Sequence, residues 1–208
     1  MIRDSKLRLE QTCPRTGRPA LFPFEAGRAT ADLNFCYLNF RGGIDNLAWA
    51  IKHRHGLLPN LSEDESKGRP QVDLFGPQFL RELAGVAPGL CDGLNSFENW
   101  YGELRNLRDP SAHRIPLYVP PGLIIDAEFV EELRDLEVSR VTDGPGPGVS
   151  LSEWSARARE GSRFAPVFMA SAPAGHSVYS LYGQLDHDHR QFLSVAQVVL
   201  GSLDPATH

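Results

Sequence analysis

The densest concentration of chemically competent side chains is the run Glu103-Leu104-Arg105-Asn106-Leu107-Arg108-Asp109-Pro110-Ser111-Ala112-His113-Arg114. It joins guanidinium groups that can hold a phosphate, a carboxylate, and an imidazole able to move a proton near neutral pH. Asp109 followed by Pro110 has the form of an N-cap with proline at the first helical position, so a helix is expected to break at Asp109 and a short new turn to begin. His113 would then lie near a helix N-terminus, whose partial positive charge disfavours imidazolium and keeps the ring available as a proton acceptor. Arg108, one residue before the break, would project towards the same side. A plainer arrangement uses the same residues: Arg108 and Asp109 as an ion pair at a helix end, with His113 bonded to a backbone carbonyl.

Other clusters carry less. His53 and His55 are two apart at the end of a helical pattern, do not share a helix face, and suit the negative end of the dipole better than a metal. Asp186, His187, Asp188 and His189 look rich in ligands, but alternate residues diverge on a helix and His189 falls on the apolar stripe, so a hydrogen-bonded core or interface histidine is the favoured role. Asp45 and Asn46 interrupt an apolar helix and would either orient His113 or face solvent. No G-x-G-x-x-G, P-loop, G-x-S-x-G or H-E-x-x-H occurs, so dinucleotide, Walker-type, α/β-hydrolase and zincin chemistry lack motif support. No metal site and no cofactor are expected.

The elements that must position the run follow from periodicity. A first helix is expected from Thr30 or Asp32 to His55, with Leu33, Tyr37, Phe40, Ile44, Leu47 and Ile51 on its buried stripe and Gly56 and Pro59 as stop signals. Gly42-Gly43 in its middle costs about 1 kcal/mol per glycine relative to alanine, which predicts close approach of another helix. Pro77 opens a short helix to Leu83, with a surface loop before it. A helix from Asp92 to Arg108 repeats Leu94, Phe97, Tyr101 and Leu104 at three and four, so that Arg108 ends its buried line. Residues 115–125 are apolar but carry Pro116, Pro120 and Pro121, which permits an edge strand and excludes a central one. Asp126 caps a helix with Phe129, Val130, Leu133 and Leu136 inward. A Gly/Pro loop follows, then a short helix around Trp154 begun by the capping-box pair Ser150 and Glu153. Phe164–Ser171 and Ser177–Ser180 are short strands pairing with the Leu117 segment, and a last amphipathic helix runs from Leu181 to Leu203 with Leu185, Phe192, Ala196, Val199 and Leu203 inward.

The Arg108-Asp109-x-x-x-His113 spacing, at the end of a helix containing Trp100 and Tyr101, resembles the signature of HEPN (higher eukaryotes and prokaryotes nucleotide-binding) domains. The stretch from Asn39 to Ala50 also resembles the first long helix of uncharacterised bacterial HEPN-like proteins. The resemblance spans about half the chain. It implies a mainly α fold, a four- or five-helix bundle with a small β or extended insertion, working as a homodimer that brings two copies of the motif into one cleft and cuts RNA without a metal. By position, Arg108 would stabilise charge on the scissile phosphate, Asp109 would occupy the polar place after it, and His113 would transfer the proton. Arg105, Asn106 and Arg114 would contact the substrate, and the RNA 2′-hydroxyl would be the nucleophile. Two departures stand out: Asp109 replaces the more usual Asn, and Ile115 stands where members regulated by tyrosine modification carry Tyr. The alternative is a non-catalytic HEPN-like dimeric module holding a nucleotide, RNA or a partner protein. A toxin–antitoxin or defence setting, with an antitoxin as partner, belongs to the first reading.

The 208 residues suit one domain, and 41% of them are hydrophobic. Residues 1–24 are expected to form an extended arm because Pro14, Gly17, Pro19 and Pro23 punctuate them, and 25–208 a single helical domain with its insertion at about 115–180. With 21 Lys and Arg against 26 Asp and Glu, the net charge of −5 excludes a generally basic coat and confines RNA contact to a local surface. Cys13, Cys36 and Cys91 form no C-x-x-C pair and are expected to be small buried hydrophobes. No apolar run reaches bilayer length and the N-terminus alternates charge with apolar residues, so a cytoplasmic protein without membrane contact is expected.

Overall fold

The computed structural model describes residues 2–13, 15, 18–59, 72–113, 116–124, 126–142, 151–172 and 175–203. Among them the fold is mainly helical, with α1 (Ile2–Thr12), α2 (Pro23–His55), α3 (Pro77–Val86), α4 (Pro88–Asn95), α5 (Glu98–His113), α6 (Ala127–Thr142), α7 (Leu151–Glu160) and α8 (Leu181–Leu203). The short strands are β1 (Arg18–Pro19), β2 (Arg163–Phe164), β3 (Val167–Ala172) and β4 (Gly175–Ser180). Among the described residues no helix is long and apolar enough to cross a membrane.

Two compact units divide the chain: Met1–Arg3 with Asn34–Pro116 and Gly183–His208, and Asp4–Leu33 with Leu117–Tyr182. Among the described residues the first unit holds helices and no strand. Tyr37, Phe40, Ile44 and Ile51 of α2 are fully buried as expected, but the line between the last two runs through Ala48 and not through Leu47, which is only half-buried; each large apolar side chain so buried contributes about 1.5–3 kcal/mol. α8 meets this stripe at Gly43, where an added Cβ would fall 2.6 Å from Cε2 of Phe192, while a Cβ at Gly42 would meet nothing within 4 Å. Close approach therefore explains one glycine of the pair. The inward line of α8 is Leu185, Asp188, Val195 and Val199, with Phe192 half-buried, so its centre falls on Asp188 and not on His189. α2 ends as its stop signals require: Gly56 adopts φ 64°, and Leu58 follows at φ 52°, held there by donation of its N–H to Glu82 Oε2 at 2.7 Å.

The second unit carries the strands. β1 pairs antiparallel with β2, and β3 with β4 from Val167↔Ser180 to Ala172↔Gly175. The proline-interrupted segment contributes only bridges, Tyr118↔Met169 and Leu123↔Arg163. That fits its expected edge character, since each proline removes a ladder donor. Asp126 Oδ1 accepts from the N–H groups of Glu128 and Phe129, capping α6 as its position predicts. Leu133 is buried, but Val130 is exposed.

The N-terminal residues differ from expectation. In place of an extended lead-in, Ile2–Thr12 is a helix that buries Ser5 and Leu9, with Arg8 Nε donating to Asp32 Oδ1 at 3.0 Å. Tyr182 donates its hydroxyl to the carbonyl of Cys13 at the end of that helix. Its apolar residues are too few to announce a helix by period alone, and packing within the unit supplies what propensity lacks. The thiols of Cys13, Cys36 and Cys91 are all buried.

Candidate functional site

α5 carries most of the chemically competent run. α4 stops at Asn95, one turn short of it, so the single helix expected from Asp92 to Arg108 is two helices separated by Ser96 and Phe97. The expected buried line holds at Leu94, Tyr101 and Leu104, and Leu107 continues it. Gly102, Glu103, Arg105 and Asn106 face outwards.

Adjacent residues fix α5 to two carboxylates. Trp100 donates Nε1–H to Asp188 Oδ1 at 2.9 Å, and the other oxygen of Asp188 accepts from the Tyr37 hydroxyl at 2.8 Å. Gln184 Nε2 donates from one turn earlier on α8 at 3.1 Å. Asp188 is fully buried, and its three donors, all neutral, belong to α2, α5 and α8. Burying a carboxylate without a satisfied hydrogen-bond shell is strongly unfavourable, so these bonds specify one relative placement of the three helices within the unit.

Tyr101 donates to Asp73 Oδ1 at 2.6 Å and stacks on Phe75 with ring centroids 4.4 Å apart. Arg41 places its guanidinium 5.1 Å from the Tyr101 ring centroid, pairs with Asp45 at 3.0 Å and approaches Asp73 at 3.7 Å. The turn bearing Asp73 is anchored by buried Val72, Leu74 and Phe75, and Gly76 returns its N–H to the Asp73 carbonyl at 2.8 Å. Asp45 pairs with Arg41 on its own helix and Asn46 is exposed, while the side chain of His113, which they were expected either to orient or to leave for solvent, lies outside the described residues.

The helix does not break at Asp109. α5 continues through Pro110 to His113, overturning the expected N-cap and new turn. Pro110 withholds one backbone donor, a loss the helix tolerates because Trp100, Tyr101, Leu104 and Leu107 bury the preceding turns. His113 is consequently the last helical position, where the helix-end field has the opposite sign to the one expected, and the argument for a ring kept neutral by an N-terminus fails. The side chains of Arg108, Asp109 and His113, and Arg114 as a whole, lie outside the described residues. Their register on one helix is nevertheless informative. Positions 108 and 113 are separated by about 140° around the axis, whereas Arg105, Asp109 and His113 follow one another at intervals of four.

Sequence reasoning missed Asp73 and assigned the inward role on α8 to His189. The available signal for Asp188 was its i+3 position from Leu185 and its i−7 position from Val195. Among the described residues no group of three or more His, Cys, Asp or Glu has the arrangement to hold a metal ion. No protein-family model, no curated protein and no solved structure matches this chain.

Proposed function

We propose that the chain is a HEPN-like, metal-independent endoribonuclease whose site is carried by the C-terminal half of α5. The observation that supports this reading is the form of α5. Fixed at Trp100 and Tyr101 by two carboxylates, it runs without interruption to His113 and exposes Arg105 and Asn106 beside the motif positions.

In this reading Arg108 stabilises the charge developing on the scissile phosphate and His113 moves the proton, with Asp109 between them in sequence. The 2′-oxygen forms a bond to phosphorus, the bond to the 5′-oxygen breaks, and the leaving oxygen takes up a proton, giving a 2′,3′-cyclic phosphate and a 5′-hydroxyl. Positions 108 and 113 are too far apart in angle to act from one helix face, which favours a homodimer in which a second copy completes the cleft. Control by an antitoxin or other partner, in the cytoplasm, accords with a ribonuclease that would otherwise act on cellular RNA.

The test is incubation of the purified chain with mixed structured and single-stranded RNA in EDTA, beside Arg108→Ala and His113→Ala. Cyclic-phosphate ends made only by the native chain support the reading. The same angular separation favours a second one, a non-catalytic module that holds RNA, a nucleotide or a partner protein on the Arg105, Asp109 and His113 positions. Loss of RNA binding in those variants, with no product from the native chain, would select it.

A further inference from the structure

The C-terminal end of α2 carries a second concentration of positive groups, remote in sequence from the α5 motif. Lys52, His53, Arg54 and His55 are consecutive, and no acidic residue occurs between Asn46 and Leu58. In a chain of net charge −5 this is a strong local reversal of sign. The helix dipole alone favours cations in a last turn. It gives no reason for an aromatic ring among them. Trp49 is only half-buried, its ring lies 5.7 Å from that of His53 with 28° between the planes, and Lys52 Nζ stands 5.4 Å from its centroid. Trp49, Lys52 and His53 share one face because three and four residues separate them. His53 is exposed, so the indole–imidazole stack ends in a ring open to solvent.

From this juxtaposition the geometry points to a docking site for single-stranded nucleic acid that crosses the last turn of α2: a base extends the Trp49–His53 stack, and Lys52 and Arg54, about 100° to either side of His53 around the axis, contact the phosphates before and after it. Charge selects a polyanion as the occupant. The stack selects one that also presents flat aromatic faces, which a strand with unpaired bases does and an acidic peptide does not. The turn beyond the patch is held by Leu58, whose N–H bonds Glu82 Oε2 and whose side chain is buried, so the last turn of α2 is fixed in place before any ligand arrives. The site shares its ligand class with the cleavage reading but does not depend on it, because stacking and phosphate contact require neither a 2′-hydroxyl nor the α5 motif.

The experiment is fluorescence anisotropy of a labelled oligodeoxyuridine of about twelve nucleotides with the full chain in EDTA, repeated with the oligouridine. The deoxy strand has no 2′-hydroxyl, so its binding is read independently of cleavage. Both strands are expected to bind within about threefold of each other. Lys52→Gln with Arg54→Gln is expected to weaken binding about tenfold and to flatten the slope of log affinity against log salt by about 1.4. Trp49→Ala is expected to lose about tenfold with the slope unchanged, and Trp49→Phe to restore most of it. All three substituted positions are exposed or half-buried, and circular dichroism confirms that each variant is folded. Absence of binding by the native chain overturns the proposal. So does native-like binding by the double variant or by Trp49→Ala, or displacement by polyglutamate as effective as by the unlabelled strand. If the native chain binds the deoxy strand as described yet cuts no RNA, only the cleavage reading fails.

Discussion

Trp100 and Asp188, 88 residues apart, meet in the interior of the first unit through a 2.9 Å hydrogen bond from the indole N–H to Oδ1. Tyr37 uses the other carboxylate oxygen, so a single buried side chain of α8 receives donors from α2 and α5. Removing the acceptor leaves two buried donors, the Tyr37 hydroxyl and the Trp100 indole N–H, without that partner, each worth about 1–3 kcal/mol. Asp188→Ala is expected to destabilise the chain by about 3 kcal/mol or more in urea unfolding, and Asp188→Asn, which keeps one acceptor oxygen, by less. A loss under about 1 kcal/mol for the alanine variant would show that the network does not hold the helices.

The paired glycines of α2 predict opposite signs. Gly43→Ala puts a methyl group against the Phe192 ring and is expected to cost about 1–3 kcal/mol, whereas Gly42→Ala enters open space in mid-helix and should stabilise by up to about 1 kcal/mol. Phe192→Leu in the Gly43→Ala background relieves the overlap and should recover part of the loss. Equal effects of the two glycine substitutions in thermal unfolding would contradict the packing described.

On α5, neighbouring residues separate stability from function. Leu104→Ala removes a buried side chain and is expected to cost about 2–5 kcal/mol. Arg105→Ala, on the exposed face, is expected to leave stability within about 0.5 kcal/mol while reducing RNA cleavage or binding. Full activity in Arg105→Ala would remove that residue from the proposed site.

Cys91 supplies a pH dependence. Burial, and then the neighbouring Asp92 carboxylate, raise the pKa of its thiol, and its Sγ points to the Leu80 carbonyl at 3.6 Å. The folded state therefore favours the neutral thiol over the thiolate more than the unfolded chain does. The resulting stabilisation is present below the unfolded thiol's pKa and is lost as pH rises through the higher folded value. Alkylation of Cys91 by iodoacetamide, followed by peptide mass spectrometry, should be slow in the native chain at neutral pH and should reach half its maximal rate at higher pH than in the denatured chain. Asp92→Asn should move the native profile towards lower pH.

How much was legible follows from range. The α2 stripe at Tyr37, Phe40, Ile44 and Ile51, the bounds of α8, the Pro77 start and the Asp126 cap all rest on interactions within a few residues, and each appears where periodicity or capping chemistry puts it. The pairing of the Leu117 segment reduces to the Tyr118↔Met169 and Leu123↔Arg163 bridges, with a hairpin beside the first, for the same local reason that prolines forbid a full ladder. Asp109-Pro110 shows where local reasoning stops, because the same dipeptide that starts a helix in isolation is carried inside one when the preceding turns are buried.

By itself, then, the sequence determined the helical class, the faces of its longest helices and the clustering of Arg, Asp and His near residue 108, since charge, period and caps are written in neighbouring residues. Only the tertiary structure decided that Asp188 is fully buried while the neighbouring His189 lies half-buried against Phe40, that Asp73 receives Tyr101, and that α5 runs through Pro110. A carboxylate on an amphipathic helix is equally readable as solvent-facing or buried until its donors are known. Those of Asp188 include Tyr37, 151 residues away, and no local pattern records a partner at that distance.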